Sequence, residues 1–174
     1  QRDGLFGNVV DIPASLAHDI TRFAKSSEKA LMGAVCMEPA GVAYVACENT
    51  KIQGGDVVVV FGAGPIGLLT AIIAKKVFGA SKIIIVEPLA FRREFASKWS
   101  DQVFEVEEFF SQPPLQVDVV IESSGNLDNL NRCFHWINAN GRVALLARSG
   151  AALSLEAIDH MITNAIAIIG SRGH

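Results

Sequence analysis

The sequence predicts an α/β protein, a doubly wound parallel six-stranded sheet in the order 3-2-1-4-5-6, with a short N-terminal segment of different character. Three observations predict it. The runs Val57-Val58-Val59-Val60 and Ile83-Ile84-Ile85-Val86 are apolar at every position, so both faces of each strand must be covered, as in parallel sheets flanked by helices. Segments of helical spacing alternate with such runs, and right-handed crossovers then dictate the strand order. Finally, Gly62-x-Gly64-x-x-Gly67 falls between the first strand and the first helix.

Before the first strand, Val9 to Ile12 is a candidate strand, and Ser15 to Ala24 and Ala30 to Cys47 have helical spacing. After Gly62-Ala63-Gly64-Pro65 breaks the valine run, Ile66, Leu69, Ile72 and Ile73 recur as on one helix face. The second strand runs from Lys82 to Glu87, and a helix from Ala90 to Trp99 carries Phe91, Phe95 and Trp99 toward the sheet. Val103-Phe104 is a short third strand, and Val117 to Ile121, after Pro113-Pro114, is the fourth. Leu127 to Ile137 reads as a helix, Arg142 to Leu146 as a strand after the Asn140-Gly141 turn, Ser154 as the cap of a helix through Met161, and Ala165 to Ile169 as the sixth strand.

Composition narrows the function classes. At 174 residues, 50% hydrophobic and 19% charged with 15 glycines, the chain is a packed domain rather than a disordered or coiled-coil sequence. A net charge of -3 with no basic block argues against a nucleic-acid partner. Residues 57–74 lack charge over a length that could span a membrane, but the glycine-proline break makes them strand, turn and helix, so no membrane partner is expected. Cys36, Cys47 and Cys133 are far apart and form no Cys-x-x-Cys pair, which suits a reducing, cytoplasmic location. The cysteines read as small core residues. His18, His135, His160 and His174 lack ligand spacing and read as surface or packing residues. The chain begins Gln1-Arg2-Asp3-Gly4 and stops after an apolar run, so it is expected to be a segment of a longer polypeptide.

The glycine motif has a mechanical reading. Gly62 permits the tight turn, Gly64 lets backbone approach a pyrophosphate, and Gly67 lets helix and strand pack closely. Pro65 suits the first helical position but has no N–H, so the amides of Ile66 and its neighbours are left for the phosphates. Glu87, twenty positions after Gly67, ends the second strand and can accept both hydroxyls of a ribose. A dinucleotide site follows.

Three stretches resemble the medium-chain zinc-dependent alcohol dehydrogenase superfamily, in its sorbitol and threonine dehydrogenase branch. They are Met37-Glu38-Pro39-Ala40-Gly41-Val42-Ala43, the run from Val57 to Leu68, and the run from Asp118 to Gly125. The resemblance extends from about Asp11 to Ser171. It implies that residues 1–29 are the end of a catalytic domain with its connection, and residues 30–174 an NAD-binding Rossmann domain. It implies NAD and, in the complete enzyme, zinc, with Glu38 at the position from which the family offers a Cys or Glu to the metal or its bound water. Arg92 matches a basic position beside the adenine ribose, and Ser123, Leu146 and Ile169 fall at strand ends that line the nicotinamide pocket. Ala147-Arg148-Ser149 departs from the glycine and small apolar residues usual there. The implied activity is hydride transfer between NAD and a secondary alcohol or polyol, in a homo-oligomer joined through the sixth strand.

A short-chain dehydrogenase is excluded, because the only tyrosine, Tyr44, precedes the glycine motif and has Glu48 four residues on. An NAD-binding regulatory sensor without catalysis is the alternative, and the helical lead-in with Glu38-Pro39 argues against it. A methyltransferase also pairs a glycine turn with an acid, but the continuation to Gly67-Leu68 and the six strands favour a dinucleotide.

Overall fold

The computed structural model describes residues 12–20, 28–150 and 152–172. The chain divides into two compact units, Gln1–Met37 and Glu38–His174. Within the first, Ala14–Leu16 forms a single 3-10 turn and helix α1 spans Glu28–Val35. The predicted strand at Val9 to Ile12 lies outside the described residues except for Ile12, which belongs to no regular element. The helix predicted from Ala30 to Cys47 is instead two helices, α1 and α2 (Met37–Asn49), parted at Cys36, whose N–H turns back to Gly33 O at 3.1 Å. Pro39 then sits in the first turn of α2, where a missing N–H costs nothing.

The second unit is built on a six-stranded parallel sheet in the order β3-β2-β1-β4-β5-β6, as the sequence predicts. The strands are β1 (Val57–Phe61), β2 (Lys82–Val86), β3 (Gln102–Phe104), β4 (Val117–Glu122), β5 (Ile137–Leu145) and β6 (Ala167–Gly170). The helices between them are α3 (Pro65–Lys76), α4 (Ala90–Ala96), α5 (Val106–Ser111), α6 (Leu127–Cys133) and α7 (Ile158–Thr163). The all-apolar character of β1 has the expected cause. Val58 and Val60 join Cys47, Ala71, Ala74, Ile83 and Ile85 on one face, under α2 and α3. Val59 and Phe61 join Ile84, Phe109, Leu130 and Phe134 on the other, under α5 and α6. Each valine, isoleucine, leucine and phenylalanine among them contributes about 1.5–3 kcal/mol of burial free energy.

Helix α5 is not predicted from periodicity, being too short to show any. Its signal is a capping box: Glu105 accepts the Glu107 N–H at 2.9 Å while Glu108 accepts the Glu105 N–H at 3.4 Å. Phe109 at its end is fully buried and meets Phe61 edge-on at 5.9 Å and Trp136 at 4.9 Å.

Several boundaries move, among them the end of the helix predicted from Ala90 to Trp99, which stops at Ala96. The helix predicted from Leu127 to Ile137 ends at Cys133, and a 3-10 turn over Phe134–Trp136 leads straight into β5. That strand begins at Ile137 rather than Arg142: Ile137 pairs with Val117, and the pairing resumes only at Arg142 with Val119. The intervening bulge contains the predicted Asn140-Gly141 turn, with Asn140 at φ 60°. Ser154 does not cap α7, which starts after Ala157 without a side-chain cap. The sixth strand starts at Ala167, because Ala165 turns through φ 49°.

Phe91, Phe95 and Trp99 do not cover the sheet; they are 68%, 51% and 43% exposed. Cys36 is likewise exposed, whereas Cys47 and Cys133 are buried as predicted. Among the described residues no helix is long and apolar enough to cross a membrane.

Candidate active site

The carboxyl ends of β1 and β4 are where the strand order reverses, and a ligand crevice is expected there. The loop after β1 is shaped by its glycines. Gly62 has φ 97°, and a Cβ there would stand 3.1 Å from the Ser124 backbone. A Cβ on Gly67 would stand 2.0 Å from Gly62 O, so α3 can approach β1 only because that side chain is absent. Gly64, the residue before α3, instead faces open space. Pro65 opens the helix, and Leu68 N–H is the first to close a helical bond, onto Gly64 O at 2.9 Å. The amides of Ile66 and Gly67 therefore stand outside the helical ladder, at the positive end of the helix dipole.

A cleft of about 320 Å³ opens over this loop, lined by Gly62, Gly64, Glu87, Arg92, Ser123 and Ser124 among others. Glu87 follows β2 and is 3% exposed. One carboxylate oxygen accepts Ala63 N–H at 2.7 Å and the other accepts Leu89 N–H at 3.0 Å. A carboxylate oxygen has two acceptor sites, so each retains one. The Arg92 guanidinium stands 3.9 Å from Glu87, while Arg93 turns the other way and donates to Glu87 O at 2.9 Å. Beside the cleft, Ala63, Leu68, Phe91, Arg92 and Phe95 wall an apolar hollow of about 330 Å³.

Ser123, directly after β4, donates its hydroxyl to Phe61 O at 2.8 Å, locking the β4 exit against the β1 exit. Leu146 follows β5, and its N–H bonds Glu122 O at 2.9 Å. Ile169 is inside β6, paired with Ala144, one residue before the strand end. Leu146 borders a second cleft, of about 420 Å³, at the ends of β5 and β6; its wall also includes Val42, Arg148 and Arg172. Glu38 lies one turn before Val42 on α2 and is exposed. Among the described residues no three His, Cys, Asp or Glu side chains form a possible metal set, so Glu38 alone cannot hold zinc. His160 contacts Ile137 O and Asn164 Nδ2, each at 3.2 Å, beside His135.

Sequence reading missed Glu122. It is fully buried at the end of β4, and its carboxylate accepts N–H groups from Ser124 at 2.9 Å and Gly125 at 3.0 Å, with the Ser124 hydroxyl as a third donor. This carboxylate shapes the turn beside Ser123. The available signal was an acid directly after the apolar run Val119-Val120-Ile121, as Glu87 follows Ile83-Ile84-Ile85-Val86.

Comparison with known proteins agrees with this architecture. A probable D-xylulose reductase A of Aspergillus clavatus is 32% identical over 151 residues, covering 80% of this chain and 40% of that relative. The 2R,3R-butanediol dehydrogenase of Bacillus subtilis superposes with a TM-score of 0.70 at 26% identity, over 82% of this chain and 42% of that one. An alcohol dehydrogenase of Escherichia coli CFT073, solved with NADH, shares the fold with a TM-score of 0.74 at 22% identity, over 81% of this chain and 43% of that one. The chain thus spans about two-fifths of the length of these relatives. Residues 65–174, from the first helical position of α3 onward, match the family described as zinc-binding dehydrogenase, and the chain belongs to that family.

Proposed function

We propose that this chain is the coenzyme-binding part of a zinc-dependent oxidoreductase that transfers a hydride between NAD and a secondary alcohol or polyol. The observation that carries the reading is the cleft at the β1–β4 reversal, where an unobstructed Gly64, two unladdered helix amides and the acid ending β2 converge. A dinucleotide suits it: the pyrophosphate meets the Ile66 and Gly67 amides, Glu87 accepts the adenosine ribose hydroxyls, and Arg92 flanks that ribose beside the apolar hollow. When bound, the nicotinamide supplies the hydride acceptor. Ser123 and Leu146 would orient it from the exits of β4 and β5, with Ile169 in β6 one residue before that strand's end, and their packing would keep water from that face.

Residues 1–29 belong in this reading to a catalytic domain, and residues 30–174 to the coenzyme domain. The described residues do not assemble a zinc site, so Glu38 is a single donor at or next to a metal whose other ligands lie elsewhere. The apolar edge strand β6 joins a second subunit, and the free thiols suit the cytoplasm.

NADH fluorescence titrated against this chain and Gly64→Val tests the reading. Saturable binding that the bulkier residue abolishes supports it; no binding by the unaltered chain overturns it. For Glu38, elemental analysis of the full-length enzyme decides: zinc content and turnover unchanged in Glu38→Ala would remove it from the metal centre.

A further inference from the structure

The second cleft contains charges that the coenzyme does not explain. Of the described arginines, Arg92, Arg93, Arg132 and Arg142 each face an acceptor or carboxylate: Glu87, Glu87 O, Glu107 and Asp56 respectively. Arg148 and Arg172 are the two that face none among the described residues, and both border the cleft of about 420 Å³. Register brings the two strand exits that carry them to one cleft. Leu145 of β5 pairs with Gly170 of β6, so Arg148 is three residues beyond one member of that pair and Arg172 two residues beyond the other, on strands about 4.8 Å apart. Ser171 N–H donates to Leu145 O at 3.0 Å, and Asn49 of α2 reaches Ser171 Oγ at 3.2 Å, so the two exits are tied to each other and to α2.

Among the described residues no acidic side chain lines this cleft. Glu122, the carboxylate in the adjoining turn, is buried and occupied by the donors of Ser124 and Gly125. Two guanidiniums bordering one cleft, with no carboxylate in its described lining, repel a cation and attract an anion. The coenzyme pyrophosphate belongs at α3, on the far side of β4 from this cleft. Planar guanidiniums match carboxylate and phosphate oxygens in pairs.

We infer that this cleft receives an anionic substrate, an alcohol or polyol bearing a carboxylate or phosphate that Arg148 and Arg172 bind. This rests on the coenzyme reading above for the cleft's place beside the nicotinamide. Anion and coenzyme are therefore measured separately.

The test is amide NMR on the 174-residue chain at physiological ionic strength, titrated with gluconate, glucitol 6-phosphate and neutral glucitol, first without coenzyme and then with NADH. Either anion should shift the resonances of residues 145–148 and 170–172, with an affinity at least tenfold above that of glucitol; the tighter one identifies the anionic group. The double variant R148Q/R172Q should lose at least tenfold in anion affinity while its NADH affinity changes less than threefold. Both residues are exposed, so folding is retained. Equal affinity for glucitol, or anion binding retained in the double variant, overturns the inference. So does a tenfold loss of NADH affinity in that variant, which would assign the arginines to the coenzyme. Failure of NADH to shift residues 62–67 overturns the coenzyme reading instead, and the coenzyme-free anion titration still decides this one.

Discussion

Ala63 and Glu87, twenty-four residues apart, are joined by a hydrogen bond of 2.7 Å in which the loop amide donates to the buried carboxylate. The acid that ends β2 thus holds the glycine loop as well as facing the cleft. Its remaining acceptor sites suit hydroxyl donors and repel a phosphate.

Coenzyme choice follows from that carboxylate. NADH should bind at least tenfold more tightly than NADPH, the equivalent of about 1.4 kcal/mol, and Glu87→Ser should narrow or reverse the ratio with Arg92 free to meet the phosphate. The substitution should also cost about 1–3 kcal/mol of stability, because Ala63 and Leu89 lose their acceptor. Fluorescence titration of both coenzymes and denaturant unfolding check the two effects. Equal or tighter NADPH binding by the unaltered chain would refute the assignment.

Two glycines of one motif should respond differently. Gly67→Ala places a methyl group 2.0 Å from Gly62 O and 2.7 Å from Ser123 Oγ, forcing α3 away from β1 at a cost of about 1–3 kcal/mol. Its melting temperature should fall by roughly 2–4 °C per kcal/mol. Gly64→Ala meets nothing within 4 Å, so it should keep its melting temperature and lose NADH affinity. Calorimetry and titration of both variants separate packing from access.

Burial pushes the Cys47 thiol, and separately the Cys133 thiol, up to about 12 from an ordinary value of 9.0. The folded state therefore retains protons that the unfolded state releases between pH 9 and 12. Stability from this source is complete below pH 9 and is lost as pH rises, by up to about 1.4 kcal/mol per pH unit for each thiol. Urea midpoints from pH 8 to 10.5 should fall accordingly, and less steeply in Cys133→Ala. At pH 8 a thiol reagent should modify exposed Cys36 rapidly and the other two only after unfolding.

A dimer through β6 should be visible by light scattering at tens of micromolar. Ala167 is exposed on that edge strand, so Ala167→Lys should shift the population toward monomer without altering NADH affinity. A monomer before substitution would remove this interface.

The sequence by itself determined the strands, their order and the glycine loop, because all three are written in local terms. A parallel strand buried on both faces must be apolar throughout, as β1 and β2 are, and a tight turn into a helix needs glycine where φ is positive, as at Gly62. Glu87 was legible through its spacing from that loop. Only the tertiary structure decided which side chains share a cleft. The β5–β6 register brings the exits that carry Arg148 and Arg172 to one cleft, and the bulge between Ile137 and Arg142 sets how β5 pairs with β4. The same holds for Glu122, whose burial depends on neighbouring strands, and for Phe91 and Phe95, whose helical spacing is that of a core face but whose helix turns them outward beside the cleft over the glycine loop. Periodicity reports that a helix has an apolar face. It does not report which surface that face meets.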